Sequence, residues 1–355
     1  MEYRKNNFDF LRLIFASCVV ITHSYALSGA NPCDLFCQLS DGQDDLSHIG
    51  VKGFFTLSGY LIFQSLQRSN NIIDYFWKRI LRIYPALFFV LLLTIILVPF
   101  VYEGDIPFFD NKTILTYIPN NLSLYHPQYE IDGVFEENPV KSAINGNLWT
   151  IPYEFAMYIL LSFLIIFRKK KIIIQAILLL SFLLLLTGNI FYFEKFKEWG
   201  FYILTGEYFL DLGAFFIAGA LLAAINIEKI KRKKELLILV SILVIASIYF
   251  HFYNYTKYLT LPILVILFGL KPIPYIYNIG NRIGDLSYGI YIYGFPVQQT
   301  LIYYFKLNYL ELMLYSLIIS YIFGYLSWHL IEKKALKLKN YTQNRPIVRR
   351  ADVVN

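Results

Sequence analysis

Apolar stretches long enough to cross a bilayer recur along this chain. Read as spans they cover roughly 8–27, 49–67, 80–101, 148–167, 172–191, 207–225, 235–252, 256–271, 284–304 and 309–331. A hydrocarbon core about 30 Å thick needs about 20 such residues per helix. The eighth stretch is short and holds Pro262, and the second is interrupted by Lys52 and the Ser58-Gly59 step. The pattern predicts an all-α polytopic membrane protein with about ten transmembrane helices. The longest polar interval, about 102–147, is rich in aromatic residues, Asn and Pro, which suits an ordered cap or a re-entrant loop over one mouth of the bundle.

Loop charge then gives the bundle a direction. Arg4 and Lys5, Arg68 with Lys78 and Arg79, Arg168 to Lys171, Lys229 to Lys234, Lys271 with Arg282, and Lys333 to Arg350 fall on alternate sides of successive spans. The loops between are poor in Lys and Arg, and two carry acid: Asp34/Asp41/Asp44/Asp45 and the stretch from Glu103 to Glu137. The positive-inside rule puts both termini in the cytoplasm. It also divides the chain into a membrane-embedded domain, 1–335, and a basic cytoplasmic tail, 336–355. At 57% hydrophobic and 16% charged residues the chain is excluded from the soluble globular class. The net charge of +7 follows from those loops, so no nucleic-acid partner is expected. A cleaved signal peptide is the rival reading of the N-terminus. Asp9 and Arg12 interrupt its start, and further spans follow.

Against this background the polar residues inside spans stand out, because charge at membrane depth is costly and usually faces a bundle interior or a path through it. Arg12 and His23 are eleven positions apart in the first span. At about 3.6 residues per turn they share a helix face, separated by roughly 16–17 Å in depth. Arg79 and Arg82 begin the third span and are helix neighbours, readable either as an interfacial anchor or as a phosphate-binding guanidinium pair. Glu154 lies about one turn inside the fourth span, with Tyr158 a turn further on and Lys52 as a plausible ion partner. Thr56 to Tyr60 reads as small-residue packing, and Asp285 to Tyr291 as capping and close packing of the ninth span. Cys33 and Cys37 lie in the first outer loop, where either a disulfide or free thiols are open to them. No Cys/His grouping has metal-site spacing, and no phosphate-binding Gly-rich loop appears.

Taken together, these segments resemble the integral-membrane acyltransferase-3 family. The matching order runs from Phe8-Asp9-Phe10-Leu11-Arg12 with His23, through Gly53 to Tyr60 and Arg79-Ile80-Leu81-Arg82-Ile83-Tyr84-Pro85. It continues with Leu148-Trp149-Thr150 to Glu154 and Tyr158, then Leu286 to Tyr291, and closes at Leu330-Ile331-Glu332-Lys333. The resemblance implies transfer of an acyl group, most simply acetyl, from cytoplasmic acyl-CoA to a glycan hydroxyl beyond a bacterial inner membrane. It also implies His23 as the catalytic histidine with Arg12 completing its motif, Arg79 and Arg82 as the functional arginine pair, and Glu154 with Tyr158 as a recurrent polar pair. Two positions depart from the family. Tyr293-Gly294-Phe295-Pro296 stands where a Trp-His-Phe-Pro is common, and Lys52 replaces a common acid.

The residues fit that chemistry on physical grounds. A neutral imidazole can take a proton from a sugar hydroxyl as the oxygen attacks a thioester carbonyl. Arginines at the cytoplasmic end suit the CoA phosphates, and a pantetheine arm spans the distance to His23. A transporter or flippase of a lipid-linked glycan is the rival class, since transport paths also carry intramembrane charge. It predicts repeated halves with paired broken helices, and none is seen in the sequence.

Overall fold

Side-chain caps set many helix starts. Asp45, Asn71, Asn111 and Asn308 each accept a hydrogen bond from a backbone N–H in the first turn that follows, satisfying donors a helix leaves orphaned. In this computed structural model, which describes residues 5–201 and 204–340, the α-helices in chain order are α1 (Phe8–Leu27), α2 (Leu35–Leu39), α3 (Leu46–Arg68), α4 (Ile72–Leu97) and α5 (Lys112–Ser123). There follow α6 (Thr150–Ser162), α7 (Lys171–Phe191), α8 (Phe193–Lys197), α9 (Gly206–Ala224) and α10 (Lys233–Tyr249). The series ends with α11 (Tyr253–Leu270), α12 (Ile279–Ile283), α13 (Ser287–Phe305), α14 (Tyr309–Ser327) and α15 (Lys333–Lys337). A two-residue hairpin, Gly200–Phe201 with Leu204–Thr205, departs from the all-helical plan. The basic tail expected over 336–355 lies largely outside the described residues.

Among the described residues, six helical stretches are long and apolar enough to cross a membrane: Phe8–Leu27, Ile72–Phe100, Gly146–Phe167, Lys171–Phe191, Gly206–Ala224 and Tyr309–Lys337. The chain is a multi-pass membrane protein. The other four expected spans coincide with α3, α10, α11 and α13, which fall short of that measure; α10, for instance, has 17 residues. Bulky apolar side chains still cover the outside of the bundle, including Ile238, Leu239, Ile242, Leu243 and Ile245 of α10. In water so large an apolar surface would drive association; in lipid it is the expected exterior.

Helix α3 runs through the centre, packed on α1 and α9. A Cβ at Gly59 would lie 1.9 Å from the Phe216 carbonyl oxygen and one at Gly219 2.1 Å from that of Thr56, so the α3–α9 approach requires glycine at both positions. Asn7, fully buried, staples the start of α1 to the end of α11. Its backbone N–H donates to the Gly269 carbonyl at 2.7 Å, and its side-chain amide donates to the carbonyls of Phe268 and Lys271.

Residues 101–145, between two of these spans, are an ordered cap on one end of the bundle; the sequence, over about 102–147, had allowed a re-entrant loop as well. Two isolated bridges, Tyr102 with Val134 and Glu130 with Ala143, fold it over a small core of Ile131, Val134 and Phe135. Gln299 of α13 donates to the carbonyls of Val140 and Ala143, and Asn138 donates back to Gln299, fixing the cap to the bundle. The opposite end, where Arg68, Lys78 and Arg79 lie, is basic. Cys33 and Cys37 are joined as a disulfide with Cα atoms 5.2 Å apart.

Candidate functional site

A chamber of about 810 Å³ opens at the basic end and follows α3 inward. Lining residues on α3 run from Arg68 at the mouth through Ser65, Ile62, Ser58 and Phe54 to Val51. Seventeen residue steps at about 1.5 Å per residue make the chamber roughly 25 Å long. Lys78, Arg79, Arg82 and Lys339 make the mouth basic, whereas Val51, Phe54, Phe55 and Ile151 make the tip apolar, with Thr150 and Tyr291 beside them. Of the six residues to which the resemblance gives site roles, five, Arg12, Arg79, Arg82, Glu154 and Tyr158, line this one space. His23 does not.

The two arginines of α4 have different surroundings. Arg82 bonds Asp285 at 2.7 Å and Glu332 at 3.3 Å, and Arg12 bonds the same Asp285 at 3.1 Å and Asp9 at 3.1 Å. Ser287 and Ser327 in turn donate to Asp285 and Glu332. Glu332 is the last residue of a π-helical turn, Trp328–Glu332, that continues α14. Arg79 makes no ion pair among the described residues. Its guanidinium lies over the rings of Tyr75 and Tyr158 at 5.6 and 5.8 Å, donates to Ser65 at 3.3 Å, and leaves its Nε buried without a partner. Such a cation is free to take an anion.

Glu154 accepts hydrogen bonds from Ser58 at 2.7 Å and from Tyr158, which also lies 3.2 Å from the Ser58 hydroxyl. The expected Glu154–Lys52 ion pair does not form. Lys52 turns to Asp44, whose two carboxylate oxygens lie 2.9 and 2.8 Å from its Nζ. The loop before α3 folds back over that helix and supplies a carboxylate only eight residues away, so the local pair displaces the distant one.

The face of α1 shared by Arg12 and His23 explains where His23 lies. Gly50 approaches Val19, and the Ser47 N–H donates to Thr22 at 2.9 Å, so α3 runs antiparallel to α1 with Val51 near the depth of Val19. His23 is four residues further, about one turn or 6 Å beyond the chamber tip. It is half-buried, its ring set edge-on to Phe295 at 5.6 Å, and its Nδ1 is buried without a hydrogen-bond partner. A braced loop holds that turn of α1. Asp34, fully buried, accepts from the Thr22 hydroxyl and from the N–H groups of Cys37 and Leu46.

The sequence reading missed Asp285 and Glu332 as ion partners, taking the first for a cap and the second only for the end of the resemblance. The available signal was charge balance: two arginines buried at the basic end need carboxylates, and the last two spans supply these.

Residues 5–329 match the family described as an acyltransferase domain. The chain is 31% identical over 350 residues to an O-acetyl transferase of Shigella phage Sf6, covering 94% of this chain and 97% of that protein. It is 38% identical over 91 residues to nodulation protein 10 of Rhizobium leguminosarum bv. viciae, covering 24% of this chain and 22% of that protein. No solved structure matches it.

Proposed function

The chain belongs to this acyltransferase family, and on that premise we propose that it moves an acetyl group from cytoplasmic acetyl-CoA to a hydroxyl of an envelope or exported polysaccharide on the far side of the bacterial inner membrane. One observation carries the reading: the chamber passes from a basic mouth to an apolar tip one turn short of an imidazole with an unpartnered nitrogen. That polarity matches a ligand with phosphates at one end and a thioester at the other.

With the basic end and both termini in the cytoplasm, Arg79 meets a CoA phosphate as a charge-assisted donor. Arg12 and Arg82, neutralised by their carboxylates, shape the mouth around it. Ser58, Glu154 and Tyr158 offer hydrogen bonds to the amides of the pantetheine arm. At the tip the acceptor oxygen attacks the thioester carbonyl while His23 takes the hydroxyl proton. The C–S bond breaks, and the leaving thiolate takes up that proton from the imidazolium. Ester and free CoA result, and His23 is regenerated. The O-acetyl transferase relative supports acetyl as the group and oxygen as the acceptor.

The test compares O-acetyl content of surface polysaccharide from cells carrying the wild type, His23→Ala and a deletion. Deletion should abolish it, and His23→Ala should slow it by about 10²–10⁴-fold, the usual worth of a general base. Unchanged acetylation in the deletion strain sinks the reading. Unchanged acetylation with His23→Ala removes the base from it.

A further inference from the structure

We infer that Phe54 determines acyl size, forming the wall that leaves room for an acetyl group and little more at the chamber tip. The inference rests on the acetyl-transfer reading above.

Phe54 lies on α3 one turn from Ser58 toward the tip and faces the chamber. Its ring is edge-on to Phe15 of α1 at 5.8 Å and to Tyr291 of α13 at 6.0 Å. Neither neighbour has room to yield. The Phe15 ring lies against Gly53, where even a Cβ would come within 2.4 Å of it, and the Phe15 backbone oxygen presses on Gly50. Tyr291 is held by its hydroxyl, 2.8 Å from the Thr150 Oγ1, and by Asn147, whose amide donates to the Tyr291 carbonyl. The Phe54 ring is therefore wedged between two fixed aromatic residues from different helices at the inner end of the chamber.

The tip around it is apolar, as an acyl methyl requires. An apolar pocket of fixed shape discriminates one extra methylene by about 10- to 200-fold. Truncating Phe54 opens space between Phe15 and Tyr291, into which a longer chain can extend without displacing backbone. Phe55, which also lines the tip, is 3% exposed and packed into the protein core, so it has no comparable freedom.

The experiment measures kcat/KM for acetyl-, propionyl- and butyryl-CoA, following radiolabel into polysaccharide in membrane vesicles. It uses the full-length wild type, Phe54→Ala and Phe54→Leu, with Phe88→Ala at a position 43% exposed on the outside of α4 as control. The wild type should prefer acetyl over butyryl by at least about tenfold. Phe54→Ala should lower that preference at least tenfold, Phe54→Leu by less, and Phe88→Ala not at all. An unchanged preference in Phe54→Ala overturns the inference. If Phe54→Ala does not fold, an unchanged preference in Phe54→Leu overturns it equally, as does a wild type that accepts butyryl as readily as acetyl. A wild type that transfers no acyl group refutes the functional reading itself.

Discussion

Arg79 and Arg82 are three residues apart on one helix and line one chamber, yet they are built for different work. Arg82 is held by Asp285 and Glu332, with Arg12 sharing the first of these. Arg79 has aromatic rings, one serine and an unpartnered Nε. A guanidinium already enclosed by carboxylates gains little from a phosphate and joins the helices it touches, here α1, α4, α13 and the turn after α14. A guanidinium flanked by rings keeps its charge available. The spacing of two arginines on a helix thus says they are neighbours and leaves their chemistry to what lies opposite.

Substituting each arginine separates the two. Arg82→Met removes the cation between Asp285, 12% exposed in its side chain, and Glu332, 2% exposed, leaving buried carboxylates with only Arg12 nearby. Breaking such a buried group typically costs about 3–5 kcal/mol, so thermal unfolding in detergent should show a large loss of stability together with loss of acetyl transfer. Arg79→Ala should leave stability nearly intact, because the ring contacts it deletes are worth about 0.5–2 kcal/mol. Acetyl-CoA affinity should fall about 10- to 100-fold, the worth of a charge-assisted hydrogen bond, when titrated against the purified protein. If Arg79→Ala binds acetyl-CoA normally while a folded Arg82→Met does not, the two roles are exchanged.

What the sequence made legible follows the same division. Lipid demands long apolar helices, so α1, α4, α7, α9 and α14 could be read from hydropathy alone, and the helical period put Arg12 and His23 on one face. Period does not reveal what stands across from a face. Asp285 is 203 positions from Arg82 and Glu332 is 250, and only the packing of four helices brings them together. Lys52 was matched to Glu154 by depth, but the chain turned back and brought Asp44 to it first. The cap was undecidable for another reason: its core of Ile131, Val134 and Phe135 lies in turns with no regular period, and Phe135 adopts a φ of 55°. His23 was singled out by its depth in α1, whereas Phe54, which lines the chamber, carried no such signal.

The smallest expected effect comes from a carboxylate–imidazole contact that water can reach. Asp45 caps α3, accepting the His48 N–H at 2.7 Å, while the His48 ring nitrogen lies 2.8 Å from its other oxygen and the His48 side chain is 55% exposed. Burial pushes the Asp45 carboxyl up, but its bonds with His48 and Ser47 outweigh this and hold it well below the ordinary carboxylate range. A carboxyl depressed in the folded state stabilises the fold at pH values above its unfolded pKa of about 3.9, and that contribution fades as pH falls further. Asp45→Asn keeps a competent cap but deletes the charge and one of the two oxygens that bond His48. It should cost no more than about 1 kcal/mol near neutrality, the range of exposed pairs, and should flatten the loss of stability between about pH 4 and pH 2. Unfolding temperatures of the two proteins across that range supply the measurement. A loss with Asp45→Asn as large as that with Arg82→Met would mean that burial is not what sets the value of an ion pair in this protein, and the contrast between Arg79 and Arg82 would need another cause.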